Sequence, residues 1–392
     1  MQGMLSGLER KNCWTIAEHL GHSDPEALQH LLSRAKWDDD GACDDLLKYV
    51  LDAFGDPDGI FAVDETGDLK KGNLTVGVQR QYTGTAGRIE NAQVAVYLTY
   101  TAPRGHALID RALYLPQSWV QDPERLAVAG VPADIEFATK PALALRMIGD
   151  ALDAGATASW VTGDEVYGND PTLRAGLRHR RIGYVLAVSC DHRIPTNGGP
   201  VRADSVARGL PPQCWQRLSA GVGSKGHRMY SWAYLELPGT EAGHTWILLR
   251  RNDSTGELAY YQCYQKDPVP LGQLVRVAGQ RWTIEESFQA AKGQAGLDEH
   301  QVRTWTSWHR WTLLCMLAMA FLAVVTAIER DRTPTPAGMI RYTLNEIRRL
   351  FDALTVGPAT RTHDHVLHWS NWRRRHQAIA RECHYRRRSE HP

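Results

Sequence analysis

The spacing of apolar residues changes character along the chain. Over the first 58 residues it is helical. Thr15 to Leu20 stops at Gly21, and Ser23-Asp-Pro-Glu26 reads as a capping box with Pro opening the next helix. Leu46, Leu47, Val50, Leu51 and Phe54 then recur at helical intervals. Two helices joined by a tight Gly-containing turn fit a helix-turn-helix, and they fit equally a small helical module packed on its neighbour.

From Ile60 the pattern shortens to a period of two or to brief apolar runs. Ile60–Val63, Thr75–Val78, Val94–Tyr100 and Ala112–Leu115 read as strands. Thr139 to Ala154 is helical with a stop at Gly155, and a helix opening near Pro171 separates Trp160-Val161 from Tyr184–Val188, both strand-like. Antiparallel strands followed by strand–helix–strand predict a mixed sheet flanked by helices. Residues 191–268 are rich in Gly, Pro and turn residues, with strand-like runs at Met229–Leu237, Trp246–Arg250 and Leu258–Tyr264, so they read as a β-rich insertion. Helical spacing resumes from Leu271 through Glu329, is broken by Pro334 and Pro336, and returns at Leu344–Leu354. The expected division is 1–58, a helical module able to bind DNA; 59–190, the first part of the core; 191–268, the insertion; 269–330, the second part of the core; and 331–392, a basic C-terminal region. No internal repeat is visible.

Composition narrows the class. With 392 residues, 13 Trp, 14 Tyr and 43% hydrophobic residues, the chain is an ordered globular protein with room for a large core. Seven Cys, none closer than 24 residues to the next, form no CxxC pair and fit a reducing cytosol. The start has no apolar signal-peptide stretch, and the longest apolar run, Leu313–Ile328, is short for a bilayer and reads as a buried helix; no membrane is expected.

The net charge of +1 (45 Lys+Arg against 44 Asp+Glu) argues at first against a nucleic-acid partner, but its distribution reverses that. Residues 1–58 hold 12 acids and 5 bases, a net of −7. Residues 361–392 hold eight arginines (among them Arg361, Arg373, Arg374, Arg375, Arg387 and Arg388) and three acids, a net of +5. Trp369, Trp372 and Tyr385 lie between them, a mixture suited to phosphates and stacked bases or to a solvated terminus. His363, His365 and His368 have loose metal-like spacing but no Cys or acid partner in a ligand pattern.

Three acids occupy ends of elements where oxygen ligands would be assembled. Asp64 follows the apolar run Phe61-Ala-Val63, Asp164 follows Trp160-Val-Thr-Gly163, and Glu285 lies in a predicted helix. Mg²⁺ takes a few protein oxygens and completes its shell with water and substrate phosphate; two such ions about 3.5–4 Å apart serve phosphoryl transfer. Each aspartate alone is also a common turn or cap residue. Arg281, Glu285 and Lys292, spaced by four and seven, share one helix face. Such a row gives a metal-binding acid flanked by two phosphate-binding cations, or a plain surface line of salt bridges.

The spacing Arg281-x3-Glu285-x6-Lys292 resembles the third motif of DDE transposases of bacterial insertion sequences, Tyr-x2-Arg-x3-Glu-x6-Lys. LSGLERKN, DETGDLKKG, VGVQRQYTGTAGRIENAQVAV, LYLPQSW, RWTIEESFQAAKGQAGLDEHQVR and ELAYY look like the branch named after insertion sequence 701, over about residues 4 to 330. The resemblance implies a ribonuclease-H-like α/β core interrupted by a β-rich insertion, with Asp64, Asp164 and Glu285 as catalytic, metal-binding residues. It implies a DNA transposase that uses two Mg²⁺ ions (or Mn²⁺) to cut element ends and join them to target DNA. Arg281 and Lys292 would hold phosphates, with Lys70, Lys71, Arg80, Arg373, Arg374 and Arg375 as further DNA contacts. Double-stranded DNA, namely terminal inverted repeats and target, is the expected partner, bound by a homodimer or higher oligomer in the bacterial cytoplasm at the nucleoid.

The departures are specific. Ala278 stands at the motif's Tyr position, Glu165 follows Asp164 and Glu286 follows Glu285, so two of the three sites offer a choice of acid. The chain also begins almost at LSGLERKN, so a shorter N-terminus than in relatives is expected. Trp232 and Trp246 in the insertion are either core residues or platforms for a displaced base. The alternative function is a decayed or repurposed DNA-binding protein that occupies element ends. A metal-independent hydrolase using a carboxylate pair is a third class.

Overall fold

The computed structural model describes residues 1–223, 226–238, 243–337, 339–356 and 362–390, with backbone alone at 384, 385 and 387–390. Arg361 and the side chains of Tyr385, Arg387 and Arg388 therefore lie outside the described residues.

Ten strands form one mixed sheet. Its first part consists of β1 (Ile60–Leu69), β2 (Gln79–Thr83), β3 (Arg88–Ala102), β4 (Gly105–Leu113), β5 (Trp160–Gly163) and β6 (Gly183–Val188). β3 pairs antiparallel with β1 on one side and with β4 on the other, whereas β1, β5 and β6 run parallel in that order. Three antiparallel strands continued by two parallel ones are the arrangement expected of a ribonuclease-H-like core. A two-stranded ribbon, β7 (Arg193–Ile194) with β8 (Val201–Arg202), comes next in the chain.

The insertion is not a separate β module. Its strands β9 (Gln216–Gly223), β10 (Gly226–Glu236), β11 (His244–Arg251) and β12 (Leu258–Gln265) extend the same sheet, because β12 pairs antiparallel with β6. One face of this extension buries Trp232, Trp246, Leu248 and Cys263 against Leu271, Leu274 and Val275 of the next helix. The opposite face packs Ile247 and Leu249 on the short helix Ala203–Gly209.

Among the described residues, α1 (Asp39–Phe54), α2 (Lys140–Asp153), α3 (Leu271–Gln280), α4 (Trp282–Ala290) and α5 (Trp305–Arg332) pack on the sheet, and α6 (His363–Glu390) packs on the N-terminal helices. Leu46, Leu47, Val50 and Phe54 of α1 join the main core with β1, β3, β4, α2 and α5. α5 is long and apolar enough to cross a membrane, but 67% of its most apolar window is buried in the fold.

Several local expectations need correction. Thr75–Val78 is a turn with Gly77 at φ 74°; Val76 and Val78 are buried there without strand pairing. The expected capping box does not form: Pro25 stands at the N-cap of the helix Glu26–Ser33 with no side-chain cap, and Asp24 accepts from the Glu26 amide at 2.8 Å. The helical run over 271–329 is divided. α4 gives way to a π turn at Ala291–Ala295, Gly296 adopts φ 72°, and the chain is non-helical up to α5. His300 in that link is buried and bonds Asp68 at 3.0 Å, tying the link to the end of β1. Helix-like spacing across two helices could not disclose such a crossing.

The two charged termini meet. Trp369 of α6 is 1% exposed and donates its indole N–H to the His22 carbonyl at 2.9 Å. His365 and His368 reach the Glu18 and Ser23 carbonyls, and Trp372 packs edge-on against Trp14. The tryptophans of the basic segment are thus structural contacts rather than an open stacking surface. His365 and His368 are likewise hydrogen-bonded to backbone carbonyls.

Candidate active site

β1 and β5 are parallel neighbours whose last paired residues are Val63 and Gly163, so Asp164, which follows the end of β5, stands level with Asp64. Asp64 is not at a strand tip as expected, because β1 runs on to Leu69 paired with β3. Asp64 Oδ1 accepts the Glu65 amide at 2.8 Å. Asp164 caps the short helix Glu165–Gly168, accepting from Val166 N at 2.9 Å. That helix lies close on β6: a Cβ on Gly168 would stand 1.7 Å from the Ala187 carbonyl oxygen, so only glycine permits the approach. Glu165 is exposed.

α4 brings the third acid. Its buried side carries Ile284 and Phe288, with the Phe288 ring edge-on to Tyr97 of β3. Thr283 bonds Thr101 at 2.9 Å, and Ser287 bonds His106 Nδ1 at 2.9 Å. These contacts fix the rotation of α4, turning Glu285 toward Arg281 while the exposed Glu286 lies 3.7 Å from His106. Arg281 joins the acids: Nη2 is 2.6 Å from Glu285 Oε1 and Nη1 is 3.5 Å from Asp64 Oδ2.

The electrostatics are those of crowded carboxylates. Burial, then the charges of Asp164 and Glu65, push Asp64 up to about 7, and Arg281 offsets only part of that. Asp164 is raised as well, by burial and then by Glu65. Glu65 itself is held by Lys140 Nζ at 2.6 Å and by the Tyr167 hydroxyl at 2.8 Å. Glu65, Lys140 and Tyr167 escaped the sequence reading. Glu65 is hidden beside Asp64, and Lys140 comes from 75 residues away with no spacing signal.

The donor set fits a hard divalent cation: oxygen ligands only, two raised carboxylates and a net excess of negative charge that a cation would relieve. Among the described residues no three His, Cys, Asp or Glu side chains converge as a ready metal group, because Arg281 engages Glu285.

The expected DNA contacts fall in three places. Lys292, in the π turn after α4, donates to Thr66 Oγ1 at 2.8 Å, two residues beyond Asp64. Lys70 is half-buried, 3.4 Å from both the ring and the carbonyl of His300, whereas Lys71 and Arg80 are exposed. Arg373 pairs with Glu18 at 2.6 Å, and its neighbours Arg374 and Arg375 on α6 are exposed. Ala278 is buried on α3, in the cluster that contains Trp232 and Trp246.

The chain is 28% identical over 195 residues to the "Probable transposase for insertion sequence element IS701" of Microchaete diplosiphon, an alignment covering 49% of this chain. The chain spans about half the length of that curated relative (48%). A cryo-EM structure of the piggyBac transposase synaptic complex with hairpin DNA superposes with a TM-score of 0.39 at 9% identity, covering 80% of this chain and 57% of that one, too loosely to carry an argument. The family model described as DDE superfamily endonuclease matches residues 1–235, which include Asp64 and Asp164 and stop short of Glu285. With more than half of its length matched, this chain belongs to the DDE superfamily endonucleases.

Proposed function

We propose that the chain is a DNA transposase of the insertion-sequence 701 type. It hydrolyses phosphodiester bonds at the ends of a mobile element and joins the freed 3′-hydroxyl to target DNA. The observation that carries the reading is the pairing of Val63 with Gly163, which sends Asp64 and Asp164 from adjacent parallel strands into one crevice that Glu285 reaches through Arg281.

Asp64, Asp164 and Glu285 would hold Mg²⁺, or Mn²⁺ in its place. Such ions, when bound, activate the attacking oxygen and stabilise the leaving one. The side chains supply charge and position. Arg281 neutralises the acids in the absence of substrate and turns to a phosphate when DNA enters. Lys292, anchored on Thr66, offers a second cation beside the scissile bond, and Lys70, Lys71 and Arg80 extend the positive surface along β1 and β2. Lys140 and Tyr167 keep Glu65 in place, so that the stretch of β1 carrying Asp64 stays fixed. The partner is double-stranded DNA, element ends and target, engaged by a homodimer or higher oligomer in the bacterial cytoplasm. Arg374 and Arg375 of α6 supply a remote contact.

The test is nicking of a supercoiled plasmid that carries the gene with its natural flanks. Mg²⁺ supports cleavage, EDTA stops it, and Asp64→Ala and Glu285→Ala each abolish it. Undiminished cleavage in either variant sinks the reading. The alternative, a decayed protein that only occupies element ends, draws on Asp164 serving as a helix cap and on Arg281 covering Glu285. It predicts flank-specific binding with no nicking in Mg²⁺ or Mn²⁺.

A further inference from the structure

The hairpin of β2 and β3 carries an apolar pair that the fold does not use. Tyr82 and Ile89 face each other across its strands and are 63% and 58% exposed. The turn between them is nevertheless firmly seated. Thr85 Oγ1 donates to the Gly67 carbonyl at 2.8 Å, and Lys292 Nζ reaches Thr66 at 2.8 Å and Thr85 at 3.4 Å. Thr83 lies against Gly67 so closely that a Cβ there would stand 2.1 Å from its hydroxyl oxygen. Gly67 is three residues beyond Asp64 on β1, and Lys292 lies just past the helix of Glu285. The hairpin tip is therefore anchored to both elements that carry the acids.

The surroundings of the pair are cationic. Arg80, two residues from Tyr82, shares its face, whereas Arg88 lies on the opposite face beside Glu90, which it binds at 2.9 Å and which is the single acid from residue 79 to residue 92. Lys71 and Lys292 stand on the adjoining segments. Two apolar side chains beside an arginine make too small a patch for a protein partner, which needs a wider apolar surface. They suit a nucleic acid strand, whose phosphates seek cations while its bases offer flat faces to a ring.

We propose that the β2–β3 hairpin grips the DNA strand beside the bond to be cut. Tyr82 stacks on an unpaired base, Ile89 backs that base, and Arg80, on the same face, holds a flanking phosphate. The proposal rests on the nuclease reading and adds to it a site that recognises unpaired bases.

The test uses the full-length protein in Ca²⁺ with two duplexes, one blunt and one ending in a short single-stranded overhang that contains 2-aminopurine. The wild type and Tyr82→Phe quench the 2-aminopurine and prefer the overhang. Tyr82→Ala loses the quenching and binds the overhang duplex about 5- to 100-fold more weakly, with blunt-duplex binding unchanged. Tyr82 is exposed, so its replacement leaves the unfolding curve in place. Unchanged quenching and affinity in Tyr82→Ala, with plasmid nicking by the wild type intact, overturn this proposal alone. Normal DNA binding with lost self-association in sedimentation would assign the hairpin to a second copy of the chain and overturn it too. A wild type that binds neither duplex overturns the nuclease reading along with it.

Discussion

Arg281 and Glu285 form an ion pair one helical turn apart, with Nη2 and Oε1 separated by 2.6 Å, and the same guanidinium reaches Asp64 at 3.5 Å. One cation thus serves two acids expected to hold metal. Replacing it with Gln should lower stability in EDTA by about 1–2 kcal/mol, between the values for exposed and buried pairs. The same change should tighten Mn²⁺ binding, because the ion no longer competes with the guanidinium. Thermal unfolding and calorimetric Mn²⁺ titration read the two effects, and they should move in opposite directions.

Asp64→Asn offers a complementary test. The folded carboxyl is raised to about 7, well above its unfolded value of 3.8. Between these values the native state holds a proton that the unfolded chain has released, so stability falls as pH rises through that window. Above it the ionised Asp64 is a standing penalty that Asn removes. Without divalent metal at pH 8, Asp64→Asn should be the more stable protein by about 2 kcal/mol. Added Mg²⁺ should reverse the order by stabilising the wild type alone. Denaturant melts with and without Mg²⁺ measure both.

Glu65 and Lys140 should behave as a coupled pair. Glu65→Gln keeps the shape but leaves the Lys140 ammonium, which is only partly exposed, without its counter-ion. A double-mutant cycle with Lys140→Met should return a coupling of about 1–3 kcal/mol by chemical denaturation. A coupling near zero would show that Tyr167 alone holds the carboxylate.

Two histidines predict acid sensitivity away from the carboxylates. Burial, then Arg330, lowers His106 to about 4; burial, then Arg111, lowers His309 to about 3. Both are neutral in the fold at pH values where the unfolded chain already binds protons. Their support is complete above about 6.5 and drains away as pH falls toward 4. His106→Gln, which keeps a partner for Ser287, should flatten the pH dependence of the unfolding midpoint between 6.5 and 4.

The clasp between the termini is testable by proteolysis. Trp369→Ala removes a fully buried indole and its bond to His22, at a cost of about 3–5 kcal/mol to the docking of α6. Residues 331–356 should then be cut early by trypsin while the sheet remains intact. Arg373→Gln, which loses only the partly exposed pair with Glu18, should have a much smaller effect.

Much of the site was legible because it stems from the ends of apolar runs. Trp160-Val-Thr-Gly163 is a buried strand after which Asp164 emerges, whereas Phe61-Ala-Val63 is the buried first part of β1, and Asp64 marks the point where the strand turns from buried to half-buried without ending. The four-residue spacing of Arg281 and Glu285 likewise forces their contact on a helix. Tertiary arrangements were not legible. Nothing in the period-two runs of the insertion says that β12 joins β6, since strand pairing is set by partners distant in sequence. Nor does the basic composition of the C-terminus reveal that its tryptophans face the acidic helices. The two ends differ in charge, yet beside the Arg373–Glu18 ion pair their contact consists of hydrogen bonds from His365, His368 and Trp369 to backbone carbonyls and of the Trp14–Trp372 ring pair.

The continuity of the sheet through β12 carries a consequence for how such proteins can diverge. The chain returns from the insertion along β12, locked beside β6, and passes directly into α3 and then the helix of Glu285. β9, at the far edge, has a single neighbour. That edge is nevertheless tied to the helix before Glu285: a Cβ on Gly279 of α3 would stand 2.0 Å from the Ala220 carbonyl oxygen of β9, and Arg228 of β10 donates to the Gly279 carbonyl at 3.1 Å. One residue gained or lost after Tyr264 would swing the third acid away from Asp64, and loss of β9 would remove the wall against which α3 rests. The insertion is a buttress, and its outermost strand bears on the helix that leads to the acid.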